Sequence, residues 1–152
     1  MTNKSILVIS GPNLNLLGSR EEKYYGNISL DEIHKKIKKI GNSNNIIIEC
    51  KQSNSESEII GWIQNAKNNF KAIIINAGGY THTSVSIRDA LKLFDELIIE
   101  IHMSNIHSRE DFRHISMISS VSSGIIIGFG DQSYYLAVNA AIDKISGEKN
   151  YG

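Results

Sequence analysis

One cysteine, Cys50, stands in a chain of 152 residues, so the chain closes no internal disulfide and assembles no cysteine metal cluster. Charge of one sign is also missing. Lysine plus arginine and aspartate plus glutamate both total 16, a formal net charge of zero. With no basic run, the composition argues against nucleic acid as the main partner. No apolar stretch approaches a membrane span, and the N-terminal MTNKSILVISGPN holds one lysine and too short an apolar run for a signal peptide. These absences point to a cytoplasmic protein. Nucleotide signatures are missing too: GPNLNLLGSR lacks the Gly-Lys-Ser/Thr of a P-loop, and no G-x-G-x-x-G follows the first apolar run. His102 and His107 lie five apart with no helical H-E-x-x-H, so a metal site is a weak reading. A flavin site is allowed by fold class alone, but no residue demands it.

What is present is a repeated alternation. Five apolar runs recur: SILVIS (5–10), NIIIEC (45–50), KAIIIN (71–76), ELIIEIHM (96–103) and GIIIGFG (124–130). They are short, β-branched and nearly continuous, as expected of strands buried on both faces. Segments of helical period lie between them. Leu30, Ile33, Ile37 and Ile40 form one stripe behind a Ser29/Glu32 capping signature. Ile59, Ile60, Ile63 and Ala66 form a second behind Ser55 and Glu58, and Ile87, Ala90, Leu91 and Phe94 a third. Phe112, Ile115 and Ile118 suggest a fourth, and Leu136, Ala140, Ala141 and Ile145 a fifth. Strict β-α alternation predicts an α/β fold with a parallel sheet and helices on both faces. A chain of this length favours one core, so residues 1–152 are read as a single flavodoxin-like domain with strand order 2-1-3-4-5.

The polar residues fall after the strands: GPNLNLLGSREEKYYG, QSNSE, NAGGYTHTS, HMSNIHSR and GFGDQSY. In an open α/β sheet, ligands bind beyond the carboxyl ends of the strands. Asn13, Arg20, Asn76, His82, His102, His107 and Arg109 therefore gather on one rim. Glu100 and His102 are two apart on a strand and leave the same face. A carboxylate beside an imidazole fixes its tautomer and raises its proton affinity. Alone, the pair suits a general acid and a buried structural pair equally. In SREEKYYG (19–26), an arginine precedes two tyrosines. Free tyrosine titrates near pH 10, so tyrosinate near neutrality needs about 4 kcal/mol of differential stabilisation. A desolvated guanidinium supplies that and an exposed one does not. The loop would thus close over a ligand, with Gly18 and Gly26 as hinges. Alone, a surface arginine beside partly packed tyrosines reads as well.

Taken together, GPNLNLLGSREEKYYG, QSNSE, NAGGYTHTSVSIRDA and EIHMSNIHSREDFRHIS resemble the successive signatures of type II 3-dehydroquinate dehydratase, in order and spacing over nearly the whole chain. The resemblance implies a flavodoxin-like fold and a hydro-lyase that needs no metal, flavin or covalent imine. It implies elimination of water from 3-dehydroquinate to give 3-dehydroshikimate, in aromatic biosynthesis or quinate breakdown. Carried over residue by residue, the base is Tyr25, the tyrosine directly before the loop glycine. Arg20 favours its tyrosinate. The acid is His102, oriented by Glu100, and Asn13 helps hold a water against the enolate oxygen. Asn76, His82 and Arg113 match residues that hold the ring hydroxyls. Ser104 and the backbone of Met103 match the carboxylate site. Asp89 matches a residue that reaches a neighbouring subunit, since the family assembles as trimers grouped into a dodecamer. His107, Arg109 and His114 are read as support or interface residues, Tyr80 and Tyr24 as packing or lid residues, and Cys50 as a small core residue.

Two positions depart from the family's pattern. Glu22 stands where many relatives have proline, which leaves the loop more conformations when open. Ser57 replaces a glycine at the start of the second helix and touches no proton-transfer group. Two other readings follow from the fold: a flavin-binding redox protein, and a binding module that has lost turnover.

Overall fold

The β-branched runs become strands. In a computed structural model that describes residues 4–19 and 27–147, β1 (Ser5–Ser10), β2 (Ile47–Gln52), β3 (Ala72–Asn76), β4 (Leu97–His102) and β5 (Gly124–Ile127) form one sheet in the order 2-1-3-4-5. Every pairing is parallel. Parallel neighbours need long crossovers; α1 (Leu30–Ser43), α2 (Glu56–Ala66) and α3 (Val85–Lys92) supply the first three, 3-10 turns lie in the β4–β5 connection, and α4 (Gln132–Gly147) follows the last strand. This is the flavodoxin-like arrangement.

Side-chain alternation along the strands divides the core in two. Ile6, Val8, Ile74, Ile99 and Ile101 face α1 and α4. Leu7, Ile9, Ile73, Ile75 and Ile98 face α2 and α3. Each fully buried aliphatic side chain contributes roughly 1.5–3 kcal/mol relative to exposure. Serine hydroxyls start the helices: Ser29 accepts from the Glu32 amide, Ser55 from the Glu58 amide and Ser84 from the Ile87 amide. Each satisfies a donor that the first helical turn leaves orphaned. Cys50 packs at the margin of the α1/α4 core, and burial pushes its thiol up to about 11.

Four expectations need correction. The strands are not all buried on both faces. β2 and β5 are the sheet edges, and Ile47 and Ile125 are exposed there. The second strand starts later than the apolar run, because Asn45 and Ile46 close α1: Asn45 takes a left-handed φ of 57°, and the Ile46 amide donates to the Gly41 carbonyl at 2.9 Å. In the last helix Leu136 is exposed, and the buried face is Tyr134, Ala137, Val138, Ala141 and Ile142. The largest difference lies at residues 111–121. No α-helix forms there, only 3-10 turns at Asp111–Arg113 and Ser119–Val121. Phe112 and Ile115 are 64% and 73% exposed, while Ile118 is fully buried. The backbone of this segment bonds elsewhere: the Met117 amide donates to the Thr81 carbonyl at 2.8 Å, and the Ile118 and Ser119 amides donate to Ser116 Oγ at 3.2 Å.

The ends of β1 and β3 approach so closely that one residue has no room for a side chain. The Gly11 amide donates to the Asn76 carbonyl at 2.8 Å, and a Cβ on Gly11 would lie 2.5 Å from the Ala77 carbonyl oxygen. Gly11→Ala should therefore splay the two strand ends and destabilise the chain by about 1–3 kcal/mol, read as a lower denaturant midpoint. Gly61→Ala is the control. A Cβ there meets nothing within 4 Å, and the change should stabilise α2 by up to about 1 kcal/mol. Equal midpoints for the two variants would contradict this account of the close approach.

Candidate active site

The carboxyl ends of β1, β3 and β4 open on a cleft of about 140 Å³. It is lined by Pro12, Asn13, Leu14, Asn76, Gly78, Gly79, His82, His102, Met103, Ser104, Ile106, Arg109 and Arg113. Ligand sites for drug-sized molecules and cofactors usually span about 300–1,000 Å³, so this one suits a single compact ligand. Asn13, Asn76, His82, His102, Met103, Ser104 and Arg113 thus come together as expected. Glu100 lies beneath them. Asp89 does not join this cleft: it is exposed on α3, and Arg88 Nη1 donates to it at 2.9 Å. Arg20, Tyr24, Tyr25, Glu22 and Gly26 lie outside the described residues. Gly18 packs against the segment before α1: a Cβ on it would lie 3.4 Å from the Asn27 carbonyl oxygen.

Two residues apart on β4, Glu100 and His102 face the α2/α3 side of the sheet with Ile98. The Glu100 carboxylate has no solvent exposure. It lies 2.5 Å from His102 Nε2 and accepts hydrogen bonds from Ser116 Oγ at 2.8 Å and Ser119 Oγ at 2.5 Å. Burial works against its ionised form. The bonds from His102 and Ser119, the charge on His102 and the bond from Ser116 outweigh that, and its carboxyl titrates below the usual carboxylate value. Because a carboxylate only accepts, His102 Nε2 carries a proton, and Nδ1 is the nitrogen left for a ligand.

His82 stacks near His102, with ring centroids 6.5 Å apart. Its Nδ1 donates to the Ile115 carbonyl at 2.9 Å. A carbonyl cannot donate, so neutral His82 presents Nε2 as an acceptor. Burial lowers its pKa, and the nearby charges of His102 and Arg113 lower it further, against the Ile115 bond and Glu100. His82 is therefore a neutral hydrogen-bonding group beside a partner able to carry charge.

Asn13 takes a left-handed φ of 69°, a region asparagine tolerates, and its amide donates to Asn54 Oδ1 at 3.0 Å. Tyr80 packs in the α2/α3 core and donates its hydroxyl to the Asn54 carbonyl at 2.7 Å, steadying that contact. Asn76 Nδ2 donates to Tyr134 Oη at 3.2 Å, and Tyr134 Oη lies 2.8 Å from Ser10 Oγ. Tyr134 is fully buried, which pushes its phenol up to about 12 and keeps it neutral. Arg113 Nε donates to Glu110 Oε1 at 3.0 Å, with its guanidinium 4.9 Å from the Phe112 ring centroid. This pairing coexists with its place in the cleft wall.

Arg109, expected as a support residue, lies in the cleft itself. Its side chain is nearly buried in the cleft wall, and Nη1 donates to Ser104 Oγ at 3.3 Å. His114 Nε2 in turn donates to the Arg109 carbonyl at 3.0 Å. Tyr134, Ser10, Ser116 and Ser119 were missed. Only Tyr134 carried a signal: a tyrosine placed on the apolar face of the last helix needs a partner for its hydroxyl. Among the described residues, no group of three or more His, Cys, Asp or Glu could hold a metal ion, and no helix is long and apolar enough to cross a membrane.

Comparison with known proteins finds one family along nearly the whole chain. Residues 4–142 match the family model "Dehydroquinase class II". The 3-dehydroquinate dehydratase of Prochlorococcus marinus subsp. pastoris is 49% identical over 142 residues, covering 93% of this chain and 97% of that protein. The enzyme of the same name from Nitratiruptor is 50% identical over 135 residues, covering 89% and 86%. Among solved structures, type II dehydroquinase from Propionibacterium acnes superposes with a TM-score of 0.89 at 36% identity, covering 93% of this chain and 97% of that one. The Butyrivibrio crossotus enzyme gives 0.89 at 45% identity, covering 91% and 97%. A paired histidine and buried glutamate at the end of β4, an asparagine at the end of β3 and a match through nearly all of the chain lead to one conclusion: the chain belongs to the class II dehydroquinase family.

Proposed function

We propose that the cleft dehydrates 3-dehydroquinate to 3-dehydroshikimate, as a hydro-lyase of the shikimate pathway of aromatic amino acid biosynthesis. The observation that carries this reading is the Glu100–His102 pair, a buried carboxylate 2.5 Å from an imidazole, opening into a cleft lined by Asn13, Asn76, His82, Ser104 and two arginines. The carbon beside the substrate's ketone loses a proton to the Tyr25 phenolate. Its electrons form an enolate, and Asn13 helps hold a water against the enolate oxygen. The enolate then collapses, the carbon–oxygen bond to the β-hydroxyl breaks, and the His102 imidazolium protonates that oxygen as it leaves as water. The proton gained by Tyr25 and lost by His102 is exchanged through solvent, which resets both groups.

Glu100 compensates the imidazolium charge. Asn76, His82 and Arg113 hold the ring hydroxyls, while Ser104 and the Met103 backbone hold the carboxylate. Arg109 donates to Ser104 Oγ, and this bond supports that end of the cleft. Acid and base are both side chains, so the reading needs no cofactor. The chain acts as one catalytic domain in the cytoplasm. It assembles as trimers grouped into a dodecamer, with Asp89 reaching a neighbour's site. Exposed Leu93, Phe112, Ile115 and Phe129, together with the edge residue Ile125, support such burial between subunits.

Mixing the protein with 3-dehydroquinate should produce the conjugated-enone absorbance of the product. No absorbance change at any pH would sink the reading. Tyr25→Phe and His102→Ala should each lower kcat by at least about a hundredfold with the fold intact by circular dichroism; a near-normal rate in Tyr25→Phe means another group is the base. Arg20→Ala removes the cation that favours tyrosinate. The phenol then ionises at higher pH, and the low-pH limb of the activity profile moves upward. Arg20→Lys should also be impaired, because a point charge does not replace a planar guanidinium. An unshifted limb in Arg20→Ala contradicts the electrostatic role.

A further inference from the structure

Ile115–Ser119 is not among the residues that line the cleft, yet its polar groups converge on both cleft histidines. The Ile115 carbonyl accepts from His82 Nδ1 at 2.9 Å. Ser116 Oγ accepts from the amides of Ile118 and Ser119. A hydroxyl has one proton, and that of Ser116 is left to donate to Glu100 Oε2 at 2.8 Å. Ser119 Oγ donates to Oε1, the other carboxylate oxygen, at 2.5 Å. The segment is itself pinned. The Met117 amide donates to the Thr81 carbonyl, directly before His82, and Ile118 is fully buried in the α2/α3 core.

We propose that Ile115–Ser119 is the positioning strap of this active site: Ser116 and Ser119 hold Glu100 as the ionised, rotationally fixed partner of His102, and the Ile115 carbonyl sets the tautomer of His82. The inference rests on the dehydratase reading, in which His102 is the acid. Three donors meet one carboxylate, two on Oε2 and one on Oε1. A protonated Glu100 would have to turn its own hydrogen toward one of them, so the clamp fits the anion alone. It also fixes the plane of the carboxylate and so aims Oε2 at His102 Nε2, leaving Nδ1 for the leaving oxygen. Other charged groups near the pair do not substitute for it. His82 faces His102 across 6.5 Å. Arg113 stands near His82 and is paired with exposed Glu110, and Arg109 is bonded to Ser104. Among the described residues, Glu100 is the one buried carboxylate. Ser116 and Ser119 act through it and are positioning residues.

The test is steady-state kinetics of Ser116→Ala, Ser119→Ala and the double variant across pH, with 3-dehydroquinate as substrate. Each single change should lower kcat about tenfold and the pair about a hundredfold, the usual scale for a hydrogen bond to a charged group, with KM little altered. The high-pH limb of kcat, where the acid loses its proton, should move to lower pH because the anion opposite His102 is less well held. Ser119→Thr keeps the hydroxyl and should recover most of the rate. In a Glu100→Gln background, the serine changes should cost little more, since they act through the missing charge. Nitrogen NMR of the His102 ring should show the proton on Nε2 in the native protein and a mixture of tautomers in the double variant. Unchanged kcat and pH limb in the double variant overturn the proposal, as does a serine effect that persists in full with Gln at position 100. If His102→Ala abolishes turnover while the serine variants are silent, only the strap falls. If His102→Ala is itself active, the acid assignment falls first and the strap with it.

Discussion

A carboxylate without solvent, on a strand otherwise made of leucine, isoleucine and one histidine, is the constraint around which the rest of this structure is arranged. Removing an ion from water costs several kcal/mol unless its lone pairs are met. Glu100 pairs in register with Ile75 on one side and Ile125 on the other, so the strands beside it offer no side-chain donor. The donors come from His102 and from two serines 16 and 19 residues later. An apolar residue at this position would fold at least as well. The carboxylate is therefore explained by what it does to His102 and not by what it adds to stability.

That requirement accounts for the main failure of sequence reasoning. Phe112, Ile115 and Ile118 are spaced as on a helix, and periodicity reads them so. Periodicity records only which apolar residues share a face. It does not record that Ser116 and Ser119 are needed as donors, that the Met117 amide is committed to Thr81, or that the Ile115 carbonyl is committed to His82. An α-helix would consume those backbone groups internally. The exposed Phe112 and Ile115 have the same origin, since only Ile118 is turned into the core. Leu136 failed for a different reason. Apolar residues surround α4 on more than one side, and its buried face contains Tyr134, whose hydroxyl disguises it in any count of hydrophobic positions.

The strands, their order and the rim of polar residues were legible because they follow from local chemistry. β-branched runs of four to six residues separated by helical stripes leave few topologies open, and the right-handed crossover narrows them further. The two-residue spacing of Glu100 and His102 sufficed to put them on one face. What local reasoning could not reach was contact at long separation. Tyr134 meets Ser10 and Asn76 across 124 and 58 residues, and nothing in the neighbourhood of Asn76 announces a phenol beneath it. Arg109 lies in a block dense with charge, where no rule of spacing separates the arginine that enters a cleft from the one that covers its rim.

The two faces of the sheet contribute different chemistry to the one cleft. Ser10, Asn76 and Tyr134 belong to the α1/α4 side, and every group there is neutral, with the phenol held far from ionisation by burial. Glu100, His102 and the serine donors belong to the α2/α3 side, where the charge is concentrated. The cleft thus has uncharged hydrogen-bonding groups from the α1/α4 side and a charge-compensated imidazole from the other, with Arg109 and Arg113 completing its wall. This asymmetry explains why His82 is held neutral although it stacks close to His102. A second imidazolium there would oppose a charged His102, whereas a neutral ring with its Nδ1 committed to Ile115 leaves Nε2 as an acceptor and does not compete for the proton.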